Sequence, residues 1–376
     1  MPSILRETLC PPCLRALSGN EVNKVYKAVV VGMGKRGKHH ALAFKNNPRF
    51  ELAAICTRDR SKLERAAAEL GNPRTSTDPL GIAREVRADV FCFCTPPAVR
   101  LDLIKIGIAS GAKLIAYEKP IALSMNEAIE IRELVNRAGI KTVVSHQHRY
   151  GRHYRKVKEM IDSGALGRIH TVYGHAVGWM MHLFTHLVDY MRWYNGNAEA
   201  EWVMGQAAGR GKLADNHPSP DHIAGLIQFG NGVRGMIETG AGAPDVPEVE
   251  YWWRKCRIGA QGPEGFAEVL TGCGWRSVTR DGAHSGEGCM NYDLDMPPYV
   301  NDMADWLDDD SKIHPCNGES AHKGFEITMA VLRSVIERGQ IRLPLGPGEP
   351  ELEALGRILP DRPVLLSIEA NRKEYS

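Results

Sequence analysis

Short β-branched runs alternate with amphipathic stretches from residue 27 to residue 145. Lys27-Ala28-Val29-Val30-Val31 opens the series as a strand, and Ala41-Leu42-Ala43-Phe44 begins the apolar stripe of a helix. Residues 51–56 predict a second strand, and 61–70 a helix with Leu63, Ala66, Ala67 and Leu70 on one face. Residues 89–94 predict a strand that is apolar throughout from Val90 to Cys94, the pattern of a strand covered on both faces of a parallel sheet. A helix over 101–110 leads to a strand ending in Leu114-Ile115-Ala116-Tyr117. The capping box Ser124-Met125-Asn126-Glu127 opens a helix that Gly139 stops, and 141–145 is the next strand. Such alternation predicts a doubly wound parallel sheet, the Rossmann architecture.

Beyond residue 148 the rhythm changes. Helices over 154–163 and 183–194 flank a strand over 169–176, and strand-like runs follow over 201–204, 224–229, 232–239, 254–259, 266–270 and 275–279. Gly230-Asn231-Gly232 reads as a hairpin turn between two of them. Helices over 300–307 and 319–339 close this part. The fold class is therefore α/β: a Rossmann sheet followed by an α/β domain with a mostly antiparallel open sheet. The expected divisions are an extension over 1–25, a dinucleotide-binding domain over 26–147, a substrate and oligomerisation domain over 148–345, and an extension over 346–376 that docks on the surface or on a partner subunit.

Composition changes this picture little. A chain of 376 residues exceeds what one core usually organises. Net charge is +2, from 47 basic and 45 acidic residues, which points away from nucleic acid and anionic membranes as partners. No apolar run is long enough to span a bilayer, and the first 25 residues lack the core of a secretory signal. Cys10-Pro11-Pro12-Cys13 has redox-motif spacing but no flanking strand or helix, so it reads as tail. Cys56, Cys92 and Cys94 fall in apolar strands as small hydrophobes, and a reducing cytoplasm is the expected compartment.

Chemistry concentrates at strand ends. Gly32-Met33-Gly34-Lys35-Arg36-Gly37 follows a strand and opens a helix, the context in which a glycine loop cradles a pyrophosphate. Thr57 lies 20 positions after Gly37, with Arg58 next and Asp59 after it. A hydroxyl followed by a guanidinium suits the 2′-phosphate of NADP, whereas Asp59 turned inward would hold the ribose of NAD; the pattern favours NADP. Thr95-Pro96-Pro97 ends the apolar strand of 89–94 and should border the nicotinamide half. Glu118-Lys119-Pro120 ends the next strand, delivering an ammonium that can hold or relay a hydroxyl proton, with Glu118 beside it as tether and part of the cofactor site.

His182 and His186 are four apart and share a helix face that Asp189 continues, so either imidazole could take a substrate proton. A metal between these two histidines is disfavoured, because Leu183 stands where the zinc hydrolase motif has glutamate and no cysteine completes a set; no metal is expected. His148, Arg149 and Tyr150, after the last Rossmann strand, are expected at a substrate cleft. His217 and Trp252-Trp253 are further candidates for substrate contact.

Together the glycine loop, Thr95-Pro96-Pro97, Glu118-Lys119-Pro120, the helix carrying His186 and Asp189, and the run from Gly318-Glu319 to Arg342-Leu343-Pro344 resemble the Gfo/Idh/MocA oxidoreductases over residues 26–345. The resemblance implies NAD(P)-dependent oxidation or reduction of one carbon of a sugar, inositol or related polyol. It implies Lys119 and His186 as substrate-binding and acid–base residues, and an open sheet that packs on another subunit of a homo-oligomer. Alternatives within its reach are an NAD-dependent glycosidase working by transient oxidation and a non-catalytic dinucleotide sensor. Two departures stand out: His182 occupies a position where many members have aspartate, and Arg100 one where a histidine often follows the Thr-Pro-Pro turn.

Overall fold

Six strands form the first sheet: β1 (Tyr26–Val31), β2 (Phe50–Cys56), β3 (Arg74–Ser76), β4 (Val90–Phe93), β5 (Leu114–Tyr117) and β6 (Lys141–Val144). They are parallel in the order β3-β2-β1-β4-β5-β6, so the order reverses between β1 and β4. Ligands bind at such a switch point, outside the carboxyl ends of the strands. The computed structural model describes residues 24–361, so Cys10 to Cys13 and most of the N-terminal extension lie outside the described residues.

Each buried strand residue follows from the apolar runs. All four residues of β4 and of β5 are buried, because helices cover both faces. The edge strand β3 is Arg74-Thr75-Ser76, polar and three residues long, and carries no apolar signal by which to predict it. The capping box forms, with Ser124 Oγ accepting from the Glu127 N–H at 3.3 Å. Glu127 reaches back to the N–H of Leu123, one residue earlier than the ideal box.

The second sheet has nine strands: β7 (Thr171–Ala176), β8 (Ala200–Ala208), β9 (His222–Phe229), β10 (Arg234–Gly240), β11 (Cys256–Gly262), β12 (Gly265–Leu270), β13 (Gly274–Thr279), β14 (Gly282–Gly286) and β15 (Ile341–Arg342). Its order is β14-β13-β12-β11-β7-β10-β9-β8-β15. Every pair is antiparallel except β7 with β10, a central parallel contact that local pattern does not reveal. The Gly230-Asn231-Gly232 hairpin is present, with Gly232 at a positive φ of 86°.

Helices Met180–Tyr194 and Gly318–Glu337 cover one face of this sheet. On the other face Met204, Leu226 and Met236 stand in register across β8, β9 and β10, each nearly half exposed. The helix Tyr292–Asp308 begins eight residues before the expected start at 300, because Asn291 caps it and Pro297-Pro298 are accommodated inside it. After residue 346 the helix Glu351–Ile358 packs on Gly318–Glu337 of its own chain, where buried Glu351 pairs with Arg333 at 2.8 Å and accepts from the N–H of Met125. Residues 362–376 lie outside the described residues. Among the described residues no helix is long and apolar enough to cross a membrane.

Candidate active site

A groove of about 1580 Å³ lies along the carboxyl ends of β1, β2 and β4. Of the residues expected at the cofactor, Gly32, Met33, Gly34, Thr57, Arg58, Thr95 and Pro96 line it. Gly32 has a φ of 91°, and a side chain there would run into the Cys94 carbonyl. A Cβ on Gly37 would overlap the Gly32 carbonyl oxygen, so this glycine lets the helix Lys35–Asn46 seat against the loop rather than meeting the groove. Lys35 begins that helix, whose N-terminal amides are the anion-attracting end.

Arg36 departs from the expectation. Its guanidinium leaves the groove, pairs with Glu118 at 2.9 Å and stacks 4.1 Å over the Tyr292 ring, on the wall of a neighbouring cleft. Glu118 is likewise buried in a network with Arg36 and His40 rather than presented to the groove. Burial alone would push its carboxyl up, but Arg36 and His40 hold it well below the usual carboxylate range. Cys94 also exceeds its expected role as a small hydrophobe: it lines the groove, and against burial Cys92 and His40 lower its thiol to about 6.

The cleft beside the groove encloses about 780 Å³ and brings together Lys119, His148, His182 and His186 with Tyr190, Tyr292 and both Trp252 and Trp253. Lys119 Nζ donates to the His182 carbonyl oxygen at 2.9 Å. Burial lowers its ammonium to about 8, with Glu118 opposing. His186 shares a 3.1 Å hydrogen bond through Nδ1 with the Tyr190 hydroxyl, which leaves Nε2 as its other polar atom. Burial and the Lys119 charge hold both His186 and His182 below the usual histidine range, so both rings are neutral. His148 is oriented by Asp295, 3.1 Å from its Nδ1. Gln147, in the same polar run after the last Rossmann strand, also lines the cleft.

Two expected substrate contacts are corrected. Arg149 is buried and grips Asp189 with both arms of its fork, Nε to Oδ2 at 2.7 Å and Nη2 to Oδ1 at 2.8 Å. Tyr150 donates to Asp302 at 2.6 Å and packs on Tyr299. Neither lines the cleft. The 3-10 turn Gln147–Tyr150 sends His148 to the site and the next two side chains elsewhere.

Arg100 is a buried tie between two turns. It is 1% exposed, and its guanidinium donates to Thr95 O at 2.8 Å, Thr95 Oγ1 at 3.2 Å, Pro120 O at 3.1 Å and Lys119 O at 3.4 Å. It thereby ties the turn after β4 to the turn that carries Lys119. Arg100→Met is expected to lower kcat by roughly ten- to a hundredfold, the cost of a misplacement of about 1 Å, while the dinucleotide Kd stays within about twofold; Arg100→Lys should recover part of the loss. Steady-state kinetics and cofactor fluorescence titration check this.

Residues 26–146 match the model of the oxidoreductase family with an NAD-binding Rossmann fold, GFO_IDH_MocA. Scyllo-inositol 2-dehydrogenase (NAD(+)) of Bacillus subtilis (strain 168) is 26% identical over 238 residues, covering 58% of this chain and 68% of that protein. D-glucoside 3-dehydrogenase of Escherichia coli (strain K12) is 22% identical over 244 residues, 57% of this chain and 69% of that one. Among solved structures, aldose-aldose oxidoreductase from Caulobacter crescentus complexed with glycerol superposes with a TM-score of 0.72 at 16% identity, covering 85% of this chain and 100% of that one. That likeness extends the shared fold to both sheets. Fold and groove define an NAD-binding oxidoreductase with a Rossmann domain. Over residues 26–146 the chain is similar to the Gfo/Idh/MocA oxidoreductases.

Proposed function

We propose that this oxidoreductase moves a hydride between nicotinamide and a secondary alcohol or ketone of a sugar, inositol or related polyol. One observation carries the reading: Lys119, at the carboxyl end of β5, opens into the cleft between the dinucleotide groove and His186. In oxidation, bound nicotinamide would accept the hydride from the carbon, and the hydroxyl proton would pass to the neutral His186, or to Lys119 in the fraction whose lowered ammonium has already lost its proton. Tyr190 orients His186, and Asp295 orients His148 for a substrate hydroxyl. Trp252 and Trp253 offer apolar faces to the CH side of a ring. A panel of sugars and polyols, with nicotinamide absorbance followed, tests the reading; sugar release without net reduction of cofactor would favour a glycosidase cycle instead.

For the cofactor, NADP is the preferred form. Arg58, Asp59 and Lys62 all line the groove, but the Asp59 carboxylate caps its helix, accepting from the Lys62 N–H at 3.1 Å and from Ser61 Oγ at 2.9 Å, which leaves Arg58 and Lys62 as the groove's cations there. Arg58→Ala should weaken NADP binding by roughly ten- to a hundredfold, the worth of a hydrogen bond to a charged group of about 1.5–3 kcal/mol, and leave NAD binding nearly unchanged. Tighter binding of NAD than of NADP by the parent protein would remove this assignment. The row Met204, Leu226 and Met236 supports a homo-oligomer through the second sheet, and the free thiols of the described cysteines support a reducing, cytoplasmic setting.

A further inference from the structure

The segment between β8 and β9 carries Asp215 and His217 to the first turn of the helix Met180–Tyr194, where His182 sits. The His182 and His217 rings stack with centroids 4.0 Å apart and planes 30° apart. A ring nitrogen of each and a carboxylate oxygen of Asp215 all lie within 4.8 Å of one another. Among the described residues, neither ring makes a hydrogen bond, so two imidazoles share one spot with their nitrogen lone pairs uncommitted. Asp215 accepts from the His217 N–H through Oδ1 at 3.1 Å, which fixes the carboxylate beside the ring.

We propose that His182, His217 and Asp215 form a binding site for a divalent transition cation of the zinc class. Two nitrogens and one carboxylate oxygen are the donor set that borderline cations select, and three protein ligands leave positions open for water or substrate. Donors around a tetrahedral ion with bonds of ~2.1 Å stand roughly 3.4 Å apart, and these donors lie within 4.8 Å of one another, so the cluster needs to close by about 1.4 Å at most. Asp215 is exposed and half-buried His217 follows it in the same loop, so the closing movement falls on that loop rather than on the helix.

Two cations compete at the site. Lys212 Nζ is 3.9 Å from Asp215 Oδ2 and yields the carboxylate on metal binding. Lys119 faces His182 from β5 but is held by the His182 carbonyl rather than by its ring. With Asp215 and His217 beside it, His182 becomes part of a ligand set. Because His182 lines the cleft, a bound ion stands at its wall, within reach of neighbouring hydroxyls of a polyol. That last consequence rests on the proposed dehydrogenase reading, whereas the binding itself does not.

The test is titration of chelator-treated full-length protein with Co²⁺ in the absence of substrate, followed by visible absorption. The expected result is a saturable ligand-field band at one ion per chain that Zn²⁺ abolishes by displacement. His217→Ala and Asp215→Asn should each weaken Co²⁺ binding by more than the roughly 10–100-fold that disturbing a ligand's support costs. Replacement of the exposed His284 by Ala should change nothing. Dinucleotide affinity, measured on the same samples, shows that each variant is folded. No saturable band, or a band that survives in His217→Ala protein of unchanged dinucleotide affinity, overturns the site. Co²⁺ binding without turnover on any polyol would sink the dehydrogenase reading alone.

Discussion

Lys119→Ala is expected to bind NAD or NADP as the parent does and to turn over its substrate roughly 10²–10⁴-fold more slowly, the usual contribution of a positioned proton-transfer group. The dinucleotide groove is built from the ends of β1, β2 and β4, and Lys119 is absent from its lining. The ammonium projects instead into the adjoining cleft, held by the His182 carbonyl at 2.9 Å. What is lost is therefore an interaction made mainly while charge moves on the substrate oxygen, so kcat and kcat/KM should fall together. The buried Glu118 keeps its partners Arg36 and His40, so the variant should fold normally. Steady-state kinetics beside a dinucleotide titration decide the matter, and unchanged turnover would remove Lys119 from the chemistry.

Arg149→Met carries the largest expected effect on stability, a loss of about 3–5 kcal/mol, because removing one partner leaves a buried charge uncompensated. Both side chains of the Arg149–Asp189 pair are almost fully enclosed, at 5% and 2% exposure. The pair links the turn after β6 to the helix that carries His182 and His186, so it sets the site's frame without touching it. The double change Arg149→Met with Asp189→Leu should recover most of the loss, since apolar pairs can replace buried ion pairs at little cost. Chemical denaturation of the three variants checks this. A single mutant within about 1 kcal/mol of the parent would show that Asp189 finds compensation elsewhere.

Much of the first sheet was readable because local pattern and tertiary environment agree there. β4 and β5 are apolar throughout and buried throughout, and the glycine loop and Glu118-Lys119-Pro120 follow directly at strand ends. Where a segment's role depends on a distant partner, the reading failed. Arg149 looked like a cleft residue because a polar run at a domain junction usually is one, yet its destination is set by Asp189, 40 positions later. Tyr150 was drawn to Asp302 in the same way.

The helix Tyr292–Asp308 was recognised only in its second half, because paired prolines and early aspartates read as loop. With its first turns went Tyr292, which stacks on Arg36, and Asp295, which orients His148. The parallel contact of β7 with β10 was invisible for a related reason: sheet order is decided by long-range packing, not by alternation within a strand. Arg100 shows the reverse case, a departure noticed in the sequence whose meaning appeared only when its four acceptors came into view.

The most direct test of the central claim is to offer sugars, inositols and related polyols with NAD and with NADP, following nicotinamide absorbance and product together. Net reduction of the cofactor, with one ketone formed per nicotinamide reduced and the signal lost in Lys119→Ala, is the predicted result. Saturated cofactor with no net reduction on any of these substrates, or sugar release in its place, would contradict it.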